Sequence, residues 1–418
     1  MRMLQLLRTR SEIVDFSSQL TTPVDKALPP RIRPRQQASA DTARLLWQQL
    51  REHGSASEAD EAAIADPASL ELAESYGRNI ESFIGTVKMP VGIVGPLRIN
   101  GLNAKGDYYV PLATTEAALV ASYGRGAEVT ARAGGITSAM IGEGVLRTPA
   151  FVFRDMLEAG MFINWVAQNV AALQAAAEAT TRHGKLITIE PFMDSDIVFL
   201  ICRYTTGDAA GQNMVTVATE ALCAHITRHT PIQPRHWFIE GNFSGDKKAS
   251  YLGLHMGRGR KVTASVELPD ALIRKCLHVE PEAMLAYGRV AALGSTLSGQ
   301  LGTQAHYANG LAAFYIATGQ DAACVAESAV GFTRAERRDG SVFFSVTMPN
   351  IVVGSVGGGT GLPSRAAALG IMGLKGEGKA AALAEIVGAL CLCGEISIIA
   401  AIAAGHFTRA HTKLARLR

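Results

Sequence analysis

Aromatic side chains are scarce in this 418-residue chain, only 6% of it, and alanine and glycine supply much of the 48% that is hydrophobic. That composition excludes global disorder and favours close helix packing over a large aromatic core. Charge is also thin, at 18%, and nearly balanced, with 40 Lys and Arg against 37 Asp and Glu. With no basic run, the footprint of a nucleic-acid binder is missing, while scattered cations remain available for an anionic small molecule. The six cysteines contain no two pairs at ligand spacing, since the C-x-C of Cys391 and Cys393 has no second pair near it. A zinc site is therefore excluded, no metal is expected, and buried free thiols fit a reducing compartment.

An apolar stretch long enough for a signal peptide is missing from MRMLQLLRTRSEIVDF. Residues 386–405 do form an apolar run of nearly membrane-spanning length, but Glu395 lies at its centre. A carboxylate there costs about 2.5–3.5 kcal/mol on insertion scales. The run is read as a buried core helix, and the protein as soluble and cytoplasmic.

The pattern along the chain is α+β, and the length suits two or three domains. A flexible arm is expected over 1–40, ending in PPRIRPR, then a small helical region over 41–85 with helices at 42–52 and 69–82. A large domain follows in two pieces, 86–148 and 250–418, built around a long small-residue helix at 114–133. Between them, 149–237 reads strand, helix, strand, strand, helix, strand: 150–153, 155–179, 185–192, 197–204, 214–229 and 236–239. That βαββαβ order is a ferredoxin-like unit, and 238–249 connects it back as a loop. Farther on, a strand is expected at 262–267, helices at 281–299 and 308–318, strands at 341–348 and 351–356, and helices at 364–372 and 379–404.

The usual dinucleotide fingerprint, G-x-G-x-x-G after a first strand, is missing. GLKGEGKA (373–380) lacks the final Ser or Thr of a P-loop and follows a helix, so it reads as a helix-to-helix turn. TGDAAGQNM (206–214) lies between a strand and a helix, where free N–H groups and the helix dipole favour an anion. An ordinary turn with Asp208 capping the helix fits the same residues. ATTEAAL sets Glu116 at the start of the 114–133 helix, where a carboxylate is favoured by the dipole alone. GNFSGDKK holds Lys247 and Lys248 in a loop that reads equally as a solvated turn. GQDAA places Asp321 just after a helix, as a plain turn residue would be. GHFTRAH carries His406 and His411 in a basic tail. Three glycines in SVGGGTGLP, Gly357, Gly358 and Gly359, follow an apolar strand, where something must lie against the backbone.

In their order, MPVGIVGPL, ATTEAALVAS, GDAAGQNM, GNFSGDKK, NGLAAFYIATGQDAA, MPNIVVGSVGGGTGLP and GHFTRAH resemble 3-hydroxy-3-methylglutaryl-CoA reductase. The resemblance spans about residues 80 to 411. It implies a two-step, NADPH-dependent reduction of 3-hydroxy-3-methylglutaryl-CoA to mevalonate and CoA through a mevaldehyde-level intermediate. The large domain then binds acyl-CoA and the ferredoxin-like unit binds NADPH. A homodimer, or a dimer of dimers, is implied, with active sites at subunit interfaces. Lys247 resembles the lysine that stabilises the oxyanion, Glu116 the proton donor to the alcohol, Asp321 the aspartate bonded to both, and His411 the histidine that protonates the CoA thiolate. Arg147 and Lys248 match anchors of the substrate's carboxylate, Ser122 and Arg125 resemble CoA contacts, and Asn309 matches an active-site asparagine. Thr181 and Arg182 fall where the family reads the extra phosphate of NADPH. Asp208, Gly211, Asn213 and the three glycines Gly357 to Gly359 would line the dinucleotide.

Departures from the family pattern concern the acyl end. Glu240 stands where animal members have a serine near the substrate carboxylate, and repels that group unless an arginine compensates or Glu240 points away. Gln304 replaces an asparagine, Gly124 replaces an asparagine of the CoA contact, and Arg289 or Val290 stands near an absent lysine. Competing readings are a reductase of a related acyl-CoA, a non-redox acyl-CoA hydrolase or lyase, and an inactive homologue kept for binding.

Overall fold

The computed structural model describes residues 38–405, so His406 and His411 lie outside the described residues. The chain divides into two compact units, up to Lys88 and from Met89 onward. In the first, α1 (Ala40–Glu52), α2 (Glu58–Ile64), α3 (Pro67–Glu71) and α4 (Ala73–Tyr76) follow one another. Three of these starts are capped by side chains: Ser39, Ser57 in a reciprocal box with Asp60, and Asp66 ahead of Pro67. Gly77 ends α4, so the helix expected over 69–82 is instead two short pieces. Ala43, Ala73 and Phe83 form its small core, with Phe83 stacked on Tyr76 at 5.2 Å.

The second unit opens with a ribbon of β1 (Val91–Asn100) and β2 (Lys105–Ala113), then α5 (Leu119–Arg132) and β3 (Thr137–Arg147). Next come β4 (Ala150–Val152), α6 (Met156–Gln168), α7 (Val170–Glu178), β5 (Lys185–Asp194), β6 (Ile197–Thr205), α8 (Gln212–His229) and β7 (His236–Phe238). Asn169 splits the single helix expected over 155–179 into α6 and α7. After α9 (Tyr251–Met256), the chain makes β8 (Gly259–Pro269), α10 (Asp270–Leu277), α11 (Pro281–Ser298), β9 (Gly302–Thr303) and α12 (Tyr307–Thr318). It closes with α13 (Val325–Ser328), β10 (Gly331–Arg338), β11 (Ser341–Ile351), α14 (Pro363–Ile371) and α15 (Ala380–Ala403).

Nine strands form one sheet in the order β7-β4-β6-β3-β8-β11-β10-β9, with β5 on the other edge of β6. Across the segment β7-β4-β6-β5 all pairings are antiparallel, the strand order of a βαββαβ unit. Its sheet is continuous with the rest, because Cys202 to Tyr204 of β6 also pair with Arg147 to Val145 of β3. The core is nevertheless divided: Phe151, Phe162, Leu200 and Leu222 belong to one cluster, and Val262, Phe344, Leu383 and Ile396 to another.

Burial on all sides belongs to α15, not to α5, which buries one face and exposes Glu128 and Arg132 on the other. Helix α15 is apolar enough to span a membrane, and most of it is buried inside the protein instead. Its two carboxylates are saturated with donors. Glu385 accepts the N–H groups of Asn103, Ala104 and Met140 at 2.8, 2.8 and 3.0 Å, and the Asn103 amide at 2.7 Å. Glu395 accepts from Ala305 N and His306 N, both at 2.9 Å, and from Thr333 Oγ1 at 2.7 Å. Buried carboxylates are tolerated when so bonded. Here they stitch β1–β2, β3 and the α12 approach onto one helix.

Candidate active site

Helix α12 organises two groups of the expected site residues at its opposite ends. Near its start, Asn309 Nδ2 donates to Glu116 Oε1 at 3.4 Å. Glu116 is exposed and lies ahead of α5, not within it. Ala118 takes a left-handed conformation (φ 71°) at the N-cap, so the helix begins at Leu119 and the expected helical start at Thr114 is not realised. Both residues border a cleft of about 680 Å³ with Leu119, Ser122, Arg125, Gln304, Ala401 and Ile402. The walls are largely apolar, as a pantetheine-like chain requires. Ser122 Oγ and Arg125 lean on Ser397 of α15, at 2.9 Å and, through Arg125 Nη2 to the carbonyl, 2.7 Å. Burial pushes the Arg125 guanidinium below its ordinary range. Gln304 Oε1 accepts the N–H of Tyr307 at 3.1 Å and helps start α12. Gly124 faces open space, and Arg289 and Val290 stand exposed on α11.

Past the other end of α12 lies Asp321, whose Oδ2 is 2.9 Å from Lys247 Nζ. Asp321 Oδ1 also accepts the Ala323 N–H at 3.0 Å, which starts a short 3-10 turn. Gly319 (φ 72°) ends α12, and a Cβ there would stand 2.4 Å from the Gly359 carbonyl oxygen. Only glycine permits that approach. Gln320 then clamps Gly354 from both sides, accepting its N–H at 2.8 Å and donating to its carbonyl at 3.0 Å. The hydrogen bond that Lys247 donates to Asp321 holds its ammonium above the ordinary lysine range, against a smaller opposing effect of burial.

Arg147, 7% exposed at the end of β3, meets two carboxylates: Glu240 Oε2 at 3.1 Å and Asp246 Oδ2 at 3.3 Å. Its Nε is buried without a partner. Glu240 Oε1 accepts from Phe243 N and Ser244 N at 3.2 and 3.3 Å, so this carboxylate braces the lysine loop and its charge is met by Arg147. Lys248 is exposed, with Nζ donating to the Asp246 carbonyl at 2.9 Å. A buried network invisible in the sequence lies beneath. Arg258 Nη1 pairs with Glu327 at 2.6 Å, and Nη2 with Asp246 at 3.0 Å. The signal available was an arginine between two glycines in HMGRGRKV and a lone glutamate in CVAESAV.

The remaining residues gather at the start of α8. Gly211 (φ 81°) is its N-cap, and no side chain caps it, which leaves first-turn N–H groups for an anion. A Cβ on Gly211 would stand 2.2 Å from Thr206 Cγ2. Thr181 Oγ1 contacts Met214 Sδ at 3.1 Å, which brings the 181–184 turn to the same helix start. Arg182 and Asn213 are exposed there. Ala209 bridges to Val356, which sets Gly357 and Gly358 beside it. Asp208 corrects one reading, that its carboxylate caps α8, because no side chain caps that helix. That carboxylate accepts N–H groups of Gly378, Lys379 and Ala380 at 2.7, 3.1 and 3.1 Å and so caps α15. Burial alone would raise its pKa, but those bonds and Arg260 bring it below the ordinary range. The P-loop-like 373–379 turn therefore leads into a helix start already filled by a carboxylate.

Within one chain Asp321 pairs with Lys247, while Glu116 lies towards the other end of α12: Asn309 to Thr318 is nine helical steps, roughly 14 Å of axis. Among the described residues no group of His, Cys, Asp and Glu is arranged for a metal.

Residues 45–416 match the family model for hydroxymethylglutaryl-coenzyme A reductase. The chain is 43% identical over 350 residues to 3-hydroxy-3-methylglutaryl-coenzyme A reductase of Methanothermobacter thermautotrophicus, covering 83% of this chain and 88% of that protein. The enzyme of the same name from Haloferax volcanii is 40% identical, covering 84% and 89%. In fold, the chain is similar to the class II 3-hydroxy-3-methylglutaryl-CoA reductase of Streptococcus pneumoniae solved with NADPH. That match has a TM-score of 0.62 at 19% identity, over 86% of this chain and 96% of that one. The chain belongs to the hydroxymethylglutaryl-coenzyme A reductase family of oxidoreductases.

Proposed function

We propose that the protein reduces 3-hydroxy-3-methylglutaryl-CoA to mevalonate with two NADPH, passing through a mevaldehyde-level intermediate, as a cytoplasmic enzyme. The observation that carries this reading is the Lys247–Asp321 pair at 2.9 Å, beside the carboxylate-binding Arg147. A lysine kept charged by an aspartate is a donor for a developing oxyanion, worth about 3–4 kcal/mol at the transition state. Arg147, with its buried unpartnered Nε, and Lys248 anchor the substrate's free carboxylate.

The nicotinamide cofactor supplies hydride when bound. The start of α8 fits its phosphates: an uncapped helix end, the Gly357–Gly358 turn beside it, and the exposed Arg182 for a 2′-phosphate. Thr181, Gly211 and Asn213 line that end, while Gly359 and Asp208 act through the backbone they hold in place. Glu116 delivers the proton to the forming alcohol, with Asn309 orienting its carboxylate. Ser122 and Arg125 hold the CoA side of the cleft. His411 is assigned to the departing thiolate.

One chain alone holds Glu116 and Lys247 at opposite ends of α12. A homodimer in which a second copy supplies the facing half brings both onto one thioester, so the complete site lies between subunits.

The test is NADPH oxidation with 3-hydroxy-3-methylglutaryl-CoA, counted against free thiol. Two NADPH per thiol is expected. Thiol without NADPH loss overturns the reading in favour of a hydrolase or lyase. Glu240, bonded to Arg147, supports a second reading, reduction of a related acyl-CoA with a different acid end. Turnover of another thioester from a panel, without turnover of this one, would select it.

A further inference from the structure

We propose that Arg258 is a positioning residue, holding the lysine loop and the aspartate turn in register and tying both to the first turn of α8. The inference rests on the reading above that Lys247 acts on a carbonyl.

Arg258 lies between Gly257 and Gly259 at the entry to β8, and its side chain is 1% exposed. A guanidinium so buried must be met by acceptors. Its partners come from three separate stretches of chain: Glu327 and Gln212 Oε1 accept hydrogen bonds, and Asp246 Oδ1 lies in ion-pair contact at 3.0 Å without one. Asp246 immediately precedes Lys247. Glu327 lies six residues beyond Asp321, across the 3-10 turn that Asp321 starts and into α13. Gln212 is the first residue of α8. Asn350 reinforces the joint, accepting the Arg258 N–H at 2.8 Å while its amide donates to the Glu327 carbonyl at 3.1 Å. One fork thus reaches the flank of each member of the Lys247–Asp321 pair.

The pair needs such a hold. Lys247 has φ 57°, a left-handed conformation that a side chain disfavours, and its side chain is 46% exposed. Without pinned flanks the loop relaxes and the ammonium leaves Asp321. Asp246 is the pivot: one oxygen faces Arg258 and the other Arg147. The charged and titratable groups acting on the Lys247 ammonium are Asp321, Cys324 and Asp246. Of these, only Asp321 makes a direct ion pair with it.

Arg258→Met alone would strand Glu327 as an unpaired buried carboxylate. The test therefore uses Arg258→Met/Glu327→Gln in the full-length protein, and Arg258→Lys, which keeps a cation against Glu327 but cannot fork to three partners. Two readouts are taken on folded protein. One is the pH midpoint of Lys247 acylation by acetic anhydride, followed on its peptide by mass spectrometry. The other is kcat and KM for NADPH oxidation with 3-hydroxy-3-methylglutaryl-CoA. In both variants the midpoint is expected to fall, towards that of a free lysine. The expected kcat falls on the order of 100-fold in the double variant, with KM for the thioester changed less than about threefold. Arg258→Lys shows a smaller loss. An unchanged midpoint overturns the proposal, as does an unchanged kcat in an active enzyme. If the wild type oxidises no NADPH, the functional reading fails by itself, and the acylation midpoint still decides the role of Arg258.

Discussion

Lys247 and Asp321 meet at 2.9 Å although 74 positions separate them, and neither is deeply buried. Their pairing raises the lysine's pKa above its ordinary value of 10.5. For a group raised in the folded state, the stabilisation is complete below the unfolded pKa and is lost as pH rises through the folded one. Below the ordinary lysine pKa the contribution of the Lys247 ammonium is therefore complete. Any alkaline fall of kcat caused by Lys247 should begin above 10.5. Asp321→Asn should move that limb to lower pH, and Lys247→Ala should cost roughly 10²–10³ in kcat with the fold intact. A pH profile of kcat and circular dichroism check both. Near-normal turnover by Lys247→Ala at saturating substrate would remove the lysine from the mechanism.

Glu240 offers a separation of charge from structure. One oxygen faces Arg147, and the other takes the N–H groups of Phe243 and Ser244. Glu240→Gln retains an acceptor for the loop while removing a negative charge beside the substrate's carboxylate. Its KM for 3-hydroxy-3-methylglutaryl-CoA should fall about three- to tenfold, and the effect should shrink at high salt. Glu240→Ser removes the brace as well, so its kcat should fall further than that of the glutamine variant. Steady-state kinetics at low and high ionic strength check this, and a rise in KM for the glutamine variant would refute it.

Buried carboxylates in α15 predict stability rather than rate. Glu385→Ala leaves the Asn103, Ala104 and Met140 N–H groups without their acceptor. An orphaned buried donor costs about 1–3 kcal/mol, and of the three only Ala104 is fully buried, so the variant should lose at least about 1 kcal/mol. Glu385→Gln keeps one oxygen and should lose less than half as much. Urea unfolding followed by circular dichroism measures both, and an alanine variant within about 0.5 kcal/mol of the parent would show that water replaces the carboxylate.

The sequence patterns read well where the signal is local. The strand–helix order of 149–237, the apolar length of α15, and the motifs holding Lys247 and Asp321 were all visible as short runs. They fail where a distant partner decides. Glu116 read as the start of a helix because nothing in ATTEAAL shows that Ala118 turns left-handed. As an ordinary turn residue, Asp208 read as capping its own helix. Its carboxylate instead reaches 170 positions along the chain to Gly378, a partner that no periodicity encodes. Arg258 drew no notice because its meaning lies in Asp246, Glu327 and Gln212, which only the fold brings together. Tertiary hydrogen bonds from buried charges are long in sequence and short in space, and so escape local patterns.

The separation along α12 yields a test of the assembled site that needs no structure of the complex. If one copy supplies Glu116 and its partner supplies Lys247, each dimer holds two sites, and each site draws one residue from either chain. Glu116→Gln and Lys247→Ala homodimers should then both be nearly inactive. After unfolding and refolding an equal mixture, about half of the dimers are mixed, and each carries one site with neither change and one with both. Activity should therefore recover to about one quarter of the parent value. If both residues acted from the same chain, every site would keep one defect, and the mixture would stay as inactive as its components. Recovery that depends on co-refolding, and does not follow simple mixing of the folded variants, would place the reacting thioester between two chains.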